Sequence, residues 1–345
     1  MNAFDTASAA ASGDRRHPDL LFVSHEDCVK LLTVADAMRI CEEVYLMHAR
    51  GSISPPVPPA FKIDDDEFHN HWHVKGVLVK EIPVTGVRFY NYYDDGDRNT
   101  VGRLECNRYV VLSDPRTGHA LAFVDEHLSY GWRAAAGAVV PCKWIGPANP
   151  KVLGLVGAGT MSAGVLQCLA TLYRFEEIRV TSLSMAESEA FAHRWSTELG
   201  MPVKALDSKE AVVRGADIVV GGTTSADVMI YEAWVKPGAL VISLTQQQFE
   251  LAGFARMDKV VVDNWELNMR NRFFRQMVDG GLFRREQLYA EVPELAAGRK
   301  KGRERMDERI LIHTTGLVAQ DVAICHWIYQ QAKAKGLGIT LPAAR

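Results

Sequence analysis

From residue 151 onward the chain alternates short apolar runs with stretches of helical period. Val152–Val156, Ile178–Thr181, Val203–Ala205, Asp217–Val220, Leu240–Leu244 and Val260–Asp263 have the length and apolar character of strands buried on both faces. Between them, Ala163–Tyr173, Ala186–Leu199 and Ala211–Ala216 place apolar residues at helical spacing. Strands alternating with helices predict a parallel, doubly wound sheet. Before residue 151 the pattern differs. A short strand at Leu21–Val23 leads into two helices, with Ser24 as a cap, and the proline run Pro55–Pro59 stops the helical period. His71–Lys75, Gly86–Tyr90, Arg108–Leu112 and Ala120–Val124 then read as strands of an antiparallel sheet, the last two joined by a tight turn at Asp114–Gly118. An alanine-rich helix follows at Leu128–Lys143. A final helix, Gly316–Ala334, lies beyond the alternating pattern and is expected to pack back on the first domain.

These patterns predict an α/β protein. Residues 148–315 are read as a Rossmann domain with a doubly wound parallel sheet. Residues 19–147 with 316–345 are read as a second, α+β domain for substrate binding and dimerisation, and residues 1–18, small and polar, as a disordered tail.

The clearest chemical signal is the turn Gly157-Ala158-Gly159-Thr160-Met161-Ser162, which leaves a five-residue apolar strand and opens a helix. Gly157 permits the tight turn, Gly159 lets the backbone approach a pyrophosphate, and Ser162 is small enough for helix and strand to pack closely. The helix N-terminus offers free N–H groups and the positive end of its dipole to phosphates. A nicotinamide dinucleotide is therefore the expected cofactor. The acid that holds the ribose of NAD is missing at the end of the second strand, where Val180-Thr181-Ser182-Leu183-Ser184 stands. A hydroxyl such as Ser182 can accept a 2′-phosphate, so the expectation is NAD or NADP with a lean toward NADP.

Bulk composition narrows the partners. The 345 residues carry 39 basic and 42 acidic side chains, a net charge of −3 that gives no general attraction for nucleic acid. No apolar run approaches the roughly 18 residues of a membrane span. The six cysteines are scattered without a CxxC spacing, against a disulfide framework or a structural zinc site and in favour of a cytoplasmic protein. His69-Asn70-His71-Trp72-His73 puts His71 and His73 on one strand face, but no thiolate or carboxylate spacing completes a metal set, so no metal is expected. One of these imidazoles could instead serve as a proton donor.

Gly86-Val87-Arg88, then Leu112-Ser113-Asp114-Pro115-Arg116-Thr117-Gly118-His119-Ala120, then Trp132-Arg133-Ala134-Ala135-Ala136, directly before the dinucleotide turn, resemble the ornithine cyclodeaminase and mu-crystallin family, whose members show GxK, L.D..TG.P.A and RTAA in this order. Ala216–Val220 with Thr223-Thr224-Ser225 resembles that family's ADIV..aT.S, Trp234–Ala239 its WlkpGah, and Thr315–Asp321 its closing s.G.a.qD. The resemblance implies a homodimer that binds a small amino-acid-like substrate, with hydride passing between nicotinamide and a carbon bearing nitrogen. Known members include cyclodeaminases, ketimine and pyrroline-carboxylate reductases, alanine and other amino-acid dehydrogenases, and non-catalytic lens or hormone-binding proteins.

Carried over residue by residue, the resemblance makes Arg133 the holder of a substrate carboxylate and adds Thr223 and Thr224 to the cofactor site. Arg88 stands in place of the family's lysine; it can bind an anion or polarise a carbonyl but is a poor acid. Lys75 and Lys80 are the alternatives for the lysine's role. Gln246 falls near the slot of the family's aspartate and can hydrogen-bond an amine without taking its proton. Asp321 either orients substrate or caps the last helix. The family's arginine after the proline run is absent, where Pro58-Pro59-Ala60-Phe61 stands. A base at the amine is what cyclodeamination requires. Its loss favours imine reduction, or the reverse amine oxidation, over ammonia-releasing cyclisation, while the lost arginine and aspartate together motivate a second alternative, a non-catalytic, mu-crystallin-like dinucleotide-binding role.

Overall fold

The computed structural model describes residues 19–55, 60–64, 67–93, 107–223, 227–244 and 248–342. The expected N-terminal tail at 1–18 and most of the proline run lie outside the described residues. The chain divides into two compact units, Met1–Arg133 with Val318–Arg345, and Ala134–Leu317.

The first unit opens with β1 (Leu20–Val23), α1 (His25–Leu31) and α2 (Val34–Ala49). Ser24 caps α1 by accepting from the Asp27 N–H, and Thr33 with Asp36 closes a capping box on α2. An antiparallel sheet follows: β2 (Ile53–Ser54), β3 (Ala60–Asp64), β4 (Asn70–Val79), β5 (Val84–Tyr93), β6 (Arg108–Ser113) and β7 (Ala120–Asp125). β1 joins it parallel to β7. The turn between β6 and β7 closes on Asp114, with Gly118 at φ +76°. Register decides what shares a face. Lys75 lies opposite Arg88, and Tyr90 lies opposite both His73 and Arg108. Since side chains alternate along a strand, Lys75, His73, Arg88, Tyr90 and Arg108 all project from one face.

In the second unit α3 (His127–Val139), which begins in the first, is followed by α4 (Cys142–Ile145) and a series of strands and helices: β8 (Val152–Val156), α5 (Thr160–Ala170), β9 (Glu177–Thr181), α6 (Met185–Leu199), β10 (Val203–Ala205), α7 (Lys209–Val213), β11 (Ile218–Gly221), β12 (Leu240–Leu244) and β13 (Lys259–Val262). Three short helices, α8 (Trp265–Asn268), α9 (Arg272–Asp279) and α10 (Val292–Ala296), frame β14 (Ala290–Glu291), and β15 (Ile310–Thr314) closes the unit. The sheet runs β10-β9-β8-β11-β12-β15-β13-β14 with every pairing parallel. Chain order reverses between β8 and β11, and such a switch point opens a crevice at the strand C-termini.

The sequence pattern left β15 unassigned, yet it sits between β12 and β13 with all five residues buried. A five-residue apolar run just before a long helix has no period of its own to announce a strand. β3 was also unassigned; it is an edge strand on β4 that leaves Phe61 and Ile63 exposed.

The chain then returns to the first unit through α11 (Val318–Lys335), which packs on α2, β4 and β5, and ends in β16 (Ile339–Leu341) beside β1. Gly86 sets how closely α11 approaches β5. A Cβ there would stand 2.3 Å from a methyl of Val322. The missing side chain lets α11 lie against the face that carries Arg88.

Candidate active site

The residues that share the inner face of β4, β5 and β6 meet α3 and α11 in a buried cluster of charge. Arg88 is 1% exposed, and its Nε donates to Glu126 at 2.7 Å and 2.5 Å from the two carboxylate oxygens. Glu126 follows β7 directly and is fully buried; its own N–H donates to the Arg108 carbonyl. Arg133 donates through Nε to Asp321 Oδ1 at 2.5 Å, and Arg88 lies 3.8 Å from that same oxygen. Two tyrosine rings frame the cations. Arg88 lies 4.1 Å from the ring centre of Tyr90, and Arg108 4.1 Å from that of Tyr130. Arg133 is 5.1 Å from Tyr130, and the Lys75 ammonium 5.7 Å from Tyr90. Guanidinium on an aromatic face is attractive, and more so when water is excluded.

Burial and neighbouring charge set the protonation states. Burial, then the Arg88 guanidinium, pull the Lys75 ammonium down to about 8, against Asp321, which favours its charged form. Burial pushes the Glu126 carboxyl up, with Arg88 opposing and Asp321 reinforcing. Burial would also raise Asp321, but Arg133 and Arg88 outweigh it and hold that carboxyl below its ordinary range. The two acids hydrogen-bond each other, the Glu126 carboxyl pushed up and the Asp321 carboxyl held down. Burial is the largest single influence on Arg88 and Arg133 and disfavours their charge, but Asp321 together with Glu126 and the tyrosines outweighs it, so both stay cationic.

The expected residues therefore fall as follows. Lys75, Arg88, Arg133 and Asp321 come together, whereas Lys80 lies beyond β4 and is exposed. Arg133 lies in mid-helix, because Asp125 accepts from the His127 N–H and starts α3 there. Asp321 stands in the first turn of α11 and binds Arg133. Gln246 and Thr224 lie outside the described residues. His73 bonds the Tyr90 hydroxyl through Nδ1 and His71 stacks on Tyr92. Among the described residues no group of three or more His, Cys, Asp or Glu could hold a metal. Glu126, Arg108, Tyr90 and Tyr130 join the cluster without a motif of their own in the sequence. The signal that could have found them is Glu126 at the strand-to-helix junction, two turns before Arg133.

The glycine turn in the second unit has the shape that a pyrophosphate requires. Gly157 adopts φ +112°, and a Cβ on it would lie 2.7 Å from the Gly222 carbonyl, so only glycine fits. A Cβ at Gly159 would meet nothing within 4 Å, which leaves open space above the backbone. Gly159 precedes α5 without a side-chain cap, so the N–H groups of the first turn face outward for an anion. Ala158 and Met161 are half-buried and Thr160 is exposed, while Ser162 is buried and donates to the Gly222 carbonyl, tying α5 to the end of β11. Thr223 follows Gly222, its carbonyl accepting from Gln248. At the end of β9, the Ser182 hydroxyl donates to Glu187 Oε2 at 2.9 Å. That bond engages the hydroxyl and puts a carboxylate beside it, which counts against the expected lean toward a 2′-phosphate.

The sequence model of the ornithine cyclodeaminase/mu-crystallin family matches residues 21–336. N-((2S)-2-amino-2-carboxyethyl)-L-glutamate dehydrogenase of Staphylococcus aureus is 27% identical over 310 residues, covering 87% of this chain and 90% of that protein. Two solved structures share the fold. One is a Thermococcus litoralis Δ1-pyrroline-2-carboxylate reductase in complex with NADH and L-proline, with TM-score 0.84, 22% identity, and coverage of 93% and 99%. The other is an archaeal alanine dehydrogenase dimer with bound NAD, with TM-score 0.85, 23% identity, and coverage of 94% and 100%.

Proposed function

The chain belongs to the ornithine cyclodeaminase/mu-crystallin family, and we propose that it is a nicotinamide-dependent oxidoreductase acting on a carbon–nitrogen bond. It reduces the imine of a small amino-acid-like substrate or runs the reverse amine oxidation. The observation that carries this reading is Lys75, an amine held near neutrality among guanidiniums. Such a group can give a proton to an imine nitrogen or take one from an amine. Arg133 holds the substrate carboxylate beside the reacting carbon, a task the guanidinium fork suits, and Arg88 stands alongside as a further anion-binding cation. Asp321 is a positioning residue, not an acid: its carboxyl is held ionised and has no proton to give near neutrality. Glu126 anchors Arg88.

The turn from Gly157 to Ser162 with Thr223 would hold the dinucleotide, which supplies or accepts the hydride. We assign NAD(H) as the preferred form. Glu187, placed by Ser182 at the end of β9, can bond a ribose hydroxyl and repels a 2′-phosphate. The pyrroline-carboxylate reductase and alanine dehydrogenase named above bind NADH and NAD respectively, which supports the assignment.

A homodimer is part of the same reading. Phe22, Phe123, Tyr109, Phe89 and Trp72 form a half-buried aromatic row across the sheet face opposite α11. Such a row supports self-association, a second copy being a natural cover for it, and light scattering would test it. No helix among the described residues is long and apolar enough to cross a membrane. The buried thiols fit a reducing, cytoplasmic setting.

Following NADH oxidation with a panel of α-keto acids plus ammonium or amines tests the function. At least one pair should drive turnover, and Arg133→Ala should lower kcat/KM by about a hundredfold or more for loss of a charge-assisted anchor. Silence of the wild-type protein across the panel would remove the reading.

A further inference from the structure

The cluster holds more positive charge than its own acids balance. Lys75, Arg88, Arg108 and Arg133 converge on the rings of Tyr90 and Tyr130. Against them stand, among the described residues, Glu126 and Asp321. Two guanidinium nitrogens show where the imbalance lies. Arg108 Nη1 and Arg88 Nη2 are shielded from solvent and meet no hydrogen-bond acceptor among the described residues. A buried, unmet charged donor is costly, and an arriving anion relieves the cost. Arg133 is already taken at its Nε edge by Asp321, and Arg88 at its Nε by Glu126. Among the described residues Arg108 has no carboxylate partner. Its guanidinium lies 4.1 Å from the ring centre of Tyr130 and 5.3 Å from that of Tyr90.

One carboxylate on the substrate answers one of these demands. The orphaned nitrogens of Arg108 and Arg88 call for another. We propose that the substrate carries two acid groups, with Arg133 holding the one beside the reacting carbon and Arg108, with Arg88 Nη2, holding the second. The proposal rests on the oxidoreductase reading and names its substrate class: a dicarboxylic amino acid and the matching imine. The spacing suits a short molecule, since the guanidinium carbons of Arg108 and Arg133 both lie within 5.1 Å of the Tyr130 ring centre. Arg108 thus becomes a specificity residue.

Calorimetric titration of the full chain with succinate and glutarate, against butyrate and pentanoate, tests this without turnover. In the wild type a dicarboxylate should bind about tenfold or more tightly than its monocarboxylate partner, the difference that one charge-assisted pair makes. Arg108→Gln should erase that gap and leave monocarboxylate binding within about twofold, while Arg108→Lys, keeping the charge, should restore part of it. Equal binding of the two acid classes by the wild type overturns the proposal whether or not the variants fold. So does Arg108→Gln if it weakens both classes alike. Selective dicarboxylate binding with no NADH oxidation by oxaloacetate or 2-oxoglutarate plus ammonium supports the site and removes only the oxidoreductase reading.

Discussion

Replacing Lys75 isolates the proton that imine reduction requires. The ammonium faces Arg88 across the β4–β5 pair, Asp321 on α11, and Arg133 and Tyr130 on α3. With its pKa at about 8, Lys75 is about nine-tenths protonated at pH 7 and about one-tenth at pH 9, so reduction should fall roughly tenfold across that interval. Amine oxidation needs the neutral amine and should rise over the same range. Lys75→Arg keeps the charge but cannot titrate here; it should retain carboxylate binding and lose about 10²- to 10⁴-fold in kcat along with the inflection. Stability moves the other way. Folding lowers this pKa from its ordinary 10.5, so the native state binds fewer protons than the unfolded chain between pH 8 and 10.5. The cost is fully present below about pH 8 and fades as pH rises through that window. Lys75→Met should therefore stabilise the protein at pH 7, by up to on the order of 3 kcal/mol, while inactivating it. Steady-state kcat against pH in both directions, with urea unfolding of each variant, measures both effects. An inflection near pH 8 that survives in Lys75→Arg would refute the assignment.

Four other outcomes follow from the geometry. Gly157→Ala must place a Cβ 2.7 Å from the Gly222 carbonyl at φ +112°; it should cost roughly 1–3 kcal/mol and weaken NADH binding about tenfold or more in a fluorescence titration. Glu187→Gln removes the carboxylate bonded to Ser182 and should shift the ratio of NADPH to NADH affinity toward NADPH by about tenfold, with no shift if that end of β9 does not meet the ribose. Asp321→Ala leaves Arg133 and Arg88 short of a counter-charge and should destabilise the protein by about 3–5 kcal/mol in denaturant unfolding. His313 and His326 are buried and held near 4, so the unfolded chain takes up their protons first. Stability should fall as pH drops from about 6.5 toward 4, by on the order of 3 kcal/mol per imidazole, and His313→Asn should flatten its share of that slope.

Much of the fold is written in local pattern. Period-two runs mark β4 to β7, and apolar runs flanked by helical period mark β8 to β13. The Gly157–Ser162 turn announces its own geometry because glycine is required wherever φ is positive and backbone is close. β15 escaped because a strand buried on both faces carries no alternation. The site was legible only in part, for reasons of distance along the chain. Lys75 and Lys80 look alike in sequence, and only the register that sets Lys75 opposite Arg88 separates them. Asp321 reads as a helix-start acid until α11 packs at Gly86 and brings it to Arg133. Arg108 looks like a surface strand residue, and Glu126 like a second acid after Asp125, until antiparallel pairing and α3 close over them. Charge balance in a buried cluster is a property of the assembled face, which no single motif carries.

Isotopic labelling follows the hydride that passes between nicotinamide and a carbon bearing nitrogen. The protein would be incubated with NADH carrying deuterium at the transferable position, ammonium and an α-keto acid, and the amino-acid product analysed by mass spectrometry. One deuterium is expected on the carbon next to nitrogen, with Lys75→Arg forming the same labelled product far more slowly. An amino acid formed without the label, or ammonia released from a diamino acid with no label exchanged, would contradict that transfer.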